Sequence, residues 1–356
     1  MPMTKPLSLA AFEQASPAVT ARVVEGLPGA IDRVAEVAAE THRFLRFGWF
    51  AAALAAYGGE ARTLVVEEDG RAVLALPMVR RRLGLVHLLG VYWPFRSFPL
   101  ALEASPAALA AGMKALRLPA LRIGPVYDGD AAVEPLLRAA RAAGWATLDR
   151  HVADSWLLDM GAAVDAGDWP RNSTLKKNRF HEKHLAAHGA LDWRFVSGAE
   201  WPAAFDALAA VEEASWIASR TDGSDAKFTR GGHGAFWRAA AADPVLADMF
   251  SAAVLNIDGR PAAFSFDIDV GATRYAIANS YDPAYAKHSP GKLLYWRNLV
   301  AAIGRTRMVD WGGGDGGYKR VIGAEQGPAI RDWLLVRPGL PAMAARVLAG
   351  VWRRAG

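Results

Sequence analysis

The chain has 356 residues, 52% hydrophobic and 22% charged. That is enough apolar material for one large or two ordinary domains, and it excludes wholesale disorder. Cysteine is absent, which excludes disulfides, a thiolate nucleophile and a sulfur-ligated zinc site. A formal charge of +5 does not imply nucleic-acid binding, but it leaves room for an anionic small ligand or an anionic surface.

The first residues, Met1-Pro2-Met3-Thr4-Lys5, lack the apolar core of a signal peptide. No run of about 18 apolar residues suggests a membrane-spanning helix. A cytoplasmic protein is expected.

Two segments, 64–76 and 254–266, each place Asp-Gly-Arg between apolar runs. Asp69-Gly70 and Asp258-Gly259 supply the positive φ angles of a tight hairpin turn. The matched flanks suggest an internal duplication. Between the copies lies a basic helix starting near Asn172 or Ser173, with Lys176, Lys177, Arg179 and Lys183, either a solvated connector or a clamp for an anion. Residues 201–219 read as a further helix with Phe205, Leu208, Val211 and Ser215 on its inner stripe. Glu212 and Trp216 fall inside or beside that stripe. A carboxylate there is paired, neutralised or functional.

After the second hairpin, Phe264, Phe266 and Ile268 alternate with Ser265, Asp267 and Asp269, which predicts a strand with one buried face. Residues 273–280 read as the next strand. A helix follows with Leu293, Trp296, Val300 and Ile303 on one stripe, ended by Gly304. Short strands are expected at 308–311 and 333–336. Such an order makes a mixed sheet crossed by a helix.

Two loops stand out. Residues 279–293 run from a strand end through Lys287, His288 and Ser289-Pro290-Gly291 into a helix beginning near Gly291, with Lys292 beside it. A helix N-terminus with cationic side chains is how a pyrophosphate is held, although Pro-Gly also punctuates ordinary turns. Residues 310–320 hold five glycines within six positions, with Asp315, Tyr318 and Lys319 set among them. So many glycines cost conformational entropy, which points to a close approach of backbone to a ligand. No set of His, Asp and Glu has the spacing of a metal site.

The stretch 208–216, the Asp-Gly hairpin, Tyr281-Asp282-Pro283, Ser289-Pro290-Gly291 and Gly314-Asp315 with Tyr318-Lys319 together resemble the CelD-like branch of the GNAT superfamily of acyl-CoA N-acyltransferases, a branch related to the FemAB transferases. The resemblance covers residues 160–335 well and the first half through the repeated hairpin. It implies an α/β (α+β) fold of tandem GNAT-like lobes, each a mixed, mostly antiparallel sheet flanked by helices. The expected boundaries are a lobe over 1–160, an acyltransferase lobe over 161–338 and a basic tail over 339–356.

The resemblance further implies acetyl-CoA or another acyl-CoA as co-substrate, held by Lys287, His288, Ser289, Gly291 and Lys292, with no metal. His288-Ser-Pro-Gly291-Lys-Leu293 matches the usual cradle, Gln/Arg-x-x-Gly-x-Gly/Ala, only at its central glycine. In such a reaction the amine attacks the thioester directly. Asp315 or Glu212 is then the candidate base and Tyr318 or Tyr281 the candidate acid. Lys319, Trp216, Lys176, Lys177 and Arg179 are the candidate acceptor contacts. An amino sugar in exopolysaccharide or cell-envelope synthesis is the acceptor expected by analogy. The rivals are a Fem-like transferase using aminoacyl-tRNA and a non-catalytic ligand-binding module. In the tail, Met343, Val347, Leu348, Val351 and Trp352 share a face beside Arg346, Arg353 and Arg354. This pattern is expected to dock on its own domain, the alternatives being an anionic membrane surface or an anionic effector.

Overall fold

A computed structural model describes residues 18–80, 85–91, 93–167, 169–215, 226–314 and 317–354. Trp216 and Asp315 lie outside the described residues.

Among the described residues, twelve strands form one sheet. The first half supplies β1 (Val19–Glu25), β2 (Ala61–Glu68), β3 (Arg71–Arg80), β4 (Leu85–Leu88), β5 (Ala120–Tyr127) and β6 (Ala146–Asp159). The second half supplies β7 (Leu191–Ser197), β8 (Phe250–Ile257), β9 (Arg260–Val270), β10 (Thr273–Tyr281), β11 (Met308–Gly313) and β12 (Glu325–Val336). Their order across the sheet is β1-β2-β3-β4-β5-β12-β6-β11-β10-β9-β8-β7. Read from either edge inward, the two halves are the same. Four strands run antiparallel, the fifth pairs parallel with the fourth, and the sixth strand comes from the opposite half. β6 and β12 are thus exchanged, and they pair with each other at the centre.

The repeated hairpins sit at equivalent places. Asp69-Gly70 joins β2 to β3 and Asp258-Gly259 joins β8 to β9, with nearly equal φ values of 50° and 77° against 48° and 75°. Two consecutive positive φ angles twist a two-residue turn in the sense of its strands. The tandem architecture expected from the duplicated turn is therefore the observed one.

Several elements differ from expectation. β9 is buried on both faces. Phe264, Phe266 and Ile268 enter the main core, while Ser265 and Asp267 are covered by the helix Pro290–Ala302. Period-two alternation was right, but the polar face meets a helix instead of water. The helix expected over 201–219 is described over Phe205–Ala214, and its expected end at 216–219 lies outside the described residues. Helix Pro290–Ala302 turns Leu293 and Trp296 inward but leaves Val300 41% exposed, so the inner stripe is narrower than the four-residue pattern suggested. The basic helix is Asn172–Leu185, and neither Asn172 nor Ser173 caps it. Beneath the Pro290–Ala302 helix a second core gathers Trp156, Trp169, Tyr295, Trp296, Leu299 and Trp311. Among the described residues no helix is long and apolar enough to cross a membrane.

Candidate functional site

The parallel pair β10 and β11 is bonded only at its start, from Thr273 opposite Met308 to Tyr275 opposite Asp310. Ile277 is then extra: the register of β10 against β9 shifts between Ala276 and Ala278. A bulge bends its strand. β11 bends as well, its register against β6 shifting between Asp310 and Gly313. The strands part, and a cleft of about 860 Å³ opens between them. Ala276, Ala278, Asn279 and Tyr281 line one wall, and Trp311, Gly312 and Gly313 the other.

The equivalent opening in the first half is filled by its own chain. β4 and β5 also stop pairing after three residues. There Arg96 donates its backbone N–H to the Pro125 carbonyl at 2.8 Å, and Phe95 and Phe98 are buried in the core. Trp93, from this plug, reaches the second half. A Cβ on Gly312 would lie 2.0 Å from its ring, so the glycine admits the indole.

One end of the cleft is cationic. Ser289 adopts a left-handed conformation (φ 52°) and starts the helix Pro290–Ala302. Gly291 faces the cleft, where a Cβ would meet Asn279 Oδ1 at 2.7 Å and Tyr281 at 3.0 Å. Lys292 lines the same end; burial and then the charge of Lys177 hold its pKa below the usual lysine value. His181, on the basic helix, is lowered by burial and then by Lys177, Lys292 and His184. His188 and His288 approach Nε2 to Nε2 at 3.0 Å. His288 is lowered by desolvation and then by His188 and Lys287. So many like charges around one mouth destabilise each other's protonated forms. A polyanion there would relieve that repulsion. Of the expected donor contacts, Ser289, Gly291 and Lys292 line the cleft, and His288 sits in the adjoining cluster. Lys287, like Lys176, Lys177 and Arg179, is exposed outside the cleft lining.

The glycine loop is held from within. Lys319 is 4% exposed, and its Nζ donates to the carbonyls of Gly312, Gly313 and Gly314 at 3.3, 2.7 and 3.0 Å. Lys319, expected as an acceptor contact, is among the residues lining the cleft, and these bonds also make it a staple of the loop. Tyr318 lines the cleft and is 57% exposed; burial of the rest of the side chain raises its pKa. Glu212 does not reach the cleft lining. It accepts backbone N–H groups of Lys227 at 2.9 Å and Phe228 at 2.7 Å, which satisfies a buried carboxylate without an arginine. Its pKa is raised, burial being the main cause.

Tyr295 was missed by sequence reasoning. It lies one helical turn after Gly291 on the cleft side, which is the signal that could have found it. Its phenol is buried in the cleft wall and has no hydrogen-bond partner among the described residues. Burial, then Asp267 and Tyr318, drive its pKa well up, so it stays protonated and able to donate.

The helix bearing Gly291 and Tyr295 is fixed to the sheet by a buried polar cluster. Arg274 of β10 makes two bonds of 2.6 Å to Asp269 and one of 3.0 Å to Asn298 of the helix. Asn298 donates to Asp267 and Ser265. Asp267 is pushed up to about 7, burial outweighing the nearby Arg274.

Residues 172–320 match the family model described as an acetyltransferase (GNAT) domain. Over that span the chain is similar to a GNAT domain. Its matched span begins with the basic helix and ends in the helix bearing Lys319. No curated protein matches the chain. Among solved structures, FemX is 10% identical, with a TM-score of 0.59, covering 92% of this chain and 100% of its own. A conserved protein of unknown function from Bacteroides thetaiotaomicron is 10% identical, with a TM-score of 0.53, covering 88% and 99%. The C-terminal domain of a protein assigned by name to lysylphosphatidylglycerol synthesis, from Agrobacterium fabrum, is 16% identical, with a TM-score of 0.50, covering 92% and 98%. At these identities the likeness is one of fold. Among the described residues, no group of three or more His, Asp or Glu side chains could hold a metal.

Proposed function

We propose that the cleft between β10 and β11 binds an acyl-CoA and that the protein transfers the acyl group to an amine. The observation that supports this most is the pairing of an open strand split with a cationic mouth at one end and a buried, unpaired phenol in its wall. In this reading, Lys292 and the first turn after Pro290 hold the pyrophosphate, aided by His181 and His288. The thioester lies along the free edge of β10. The amine nitrogen forms its bond to the acyl carbon as the C–S bond breaks; Tyr295 gives its proton to the departing CoA thiolate and regains one, through water in the cleft, from the proton the amine nitrogen loses, while the three Lys319-bound carbonyls keep the glycine loop in one conformation beside it. Direct attack by the amine needs no enzyme nucleophile, in keeping with a chain that has no cysteine.

The exposed Lys176, Lys177, Arg179 and Lys183 favour one rival, in which a Fem-like reaction takes an aminoacyl group from charged tRNA. One experiment separates them. Release of free thiol from acetyl-CoA and longer acyl-CoAs is followed over a panel of amines that includes amino sugars. Amine-dependent thiol release supports the proposal. No release from any acyl-CoA, with tRNA retained on the protein, would transfer the assignment to the rival.

A further inference from the structure

The C-terminal segment is built inside out. Helices Leu340–Val347 and Ala349–Arg354 lie beside β6 and β12 through their small residues. Ala342 is buried against Ala146 and Val336, and Ala345 packs beside it. Trp352 is half-buried beneath the guanidinium of Arg150, which stands 4.9 Å from the ring centroid. The large aliphatic side chains point the other way. Leu340 is 81% exposed, Met343 61%, Val347 84% and Val351 65%, with Leu348 beside them at 57%. The spacing of three and four residues sets Leu340, Met343 and Val347 in one row on the first helix, and Val351 is exposed on the second. A helix that docks only on its own domain puts its large apolar residues inward. This one does the opposite: the segment docks on its own domain through Ala342, Ala345 and Trp352, and its large aliphatic side chains are left outside.

Within this segment the row is accompanied by one sign of charge. From Trp333 to the end of the sequence there is no Asp or Glu, and there are four arginines: Arg337, Arg346, Arg353 and Arg354. Arg353 is drawn to Asp149 at 3.6 Å, and the others have no ion pair among the described residues. Scattered exposed apolar residues are ordinary, but a contiguous row rimmed with basic groups marks an interaction surface.

We infer that this face rests on an anionic lipid surface, with Leu340, Met343, Val347 and Val351 entering the boundary between headgroups and acyl chains and the arginines meeting the headgroup phosphates. A short row of this size gives reversible binding. The charge is the part that chooses the occupant, because a protein partner or a second copy of this chain would have to bring the acidic groups. The inference stands apart from the acyl-CoA reading, since it uses none of the cleft residues.

The test is co-sedimentation of the full chain with vesicles of phosphatidylcholine alone and of phosphatidylcholine with one-third phosphatidylglycerol. Binding is expected to the anionic vesicles and to weaken with salt. Arg346→Ala and Arg354→Ala should each weaken it about fivefold, from about 1 kcal/mol per basic residue at the surface. Val347→Glu with Val351→Glu should abolish it while leaving the melting temperature unchanged, since both positions are exposed. The inference is overturned if anionic vesicles leave the protein in solution, or if neutral and anionic vesicles bind it equally. It is also overturned if light scattering shows a dimer that the Val347→Glu variant dissolves while vesicles never bind.

Discussion

Replacing Lys319 by Met removes one ammonium and nearly conserves volume. Three carbonyls, at 2.7 to 3.3 Å, lose their shared donor. A hydrogen bond to a charged group contributes about 1.5–3 kcal/mol. The three share one charge, and Gly314 is exposed enough to find water, so their sum is an overestimate. A loss of about 3 kcal/mol is a fair expectation. At about 2 °C per kcal/mol, the low end for larger domains, the melting temperature should fall by about 6 °C. Thermal unfolding by circular dichroism measures this directly, and urea unfolding at an unchanged slope would confirm that the native state alone is affected. If Lys319 instead contacts the acceptor, the variant will melt like the wild type and show only a raised KM for the amine. That result would refute the staple.

Two further outcomes are expected. Asp267 is raised from 3.8 to about 7, so the folded protein holds a proton that the unfolded chain releases above about pH 4. Its contribution to stability is present at low pH and is lost as pH rises through 4 to 7, by at most about 4 kcal/mol. Asp267→Asn should therefore flatten the fall in melting temperature between pH 5 and pH 8, and an identical slope in both proteins would remove Asp267 as its source. Tyr295→Phe should lower kcat about a hundredfold, the modest end for general acid catalysis because a thiolate leaves readily, with little change in KM; equal kcat in both proteins would take Tyr295 out of the reaction.

Much of the architecture was legible because it is written in local rules. Asp69-Gly70 and Asp258-Gly259 announce the repeated hairpin, since only such residues adopt two positive φ angles cheaply. Pro290-Gly291 announces a helix start. What could not be read comes from contacts distant in sequence. The exchange of β6 and β12 depends on pairing between residues far apart in the chain, and no periodicity reports it. Ser265 and Asp267 look like a solvent face until Asn298 and Arg274 cover them. That three glycine carbonyls turn toward Lys319 is likewise invisible in the local sequence. Glu212 was correctly marked as a buried carboxylate, but its partners, the amides of Lys227 and Phe228, lie beyond the reach of a helical wheel. The tail was amphipathic in sequence, and only packing on β6 and β12 shows which face is turned outward.

The most direct measurement is calorimetric titration of CoA into the wild type, Gly291→Val and Lys292→Glu, each first checked for an unchanged melting curve. The side chain added at Gly291 crowds Asn279 and Tyr281 at the cleft wall, and the charge reversal at Lys292 opposes the phosphates. Saturable heat in the wild type and none in either variant is the expected result. Wild-type protein that gives no heat, or variants that bind CoA as tightly as it does, would contradict the strand split as the acyl-CoA site.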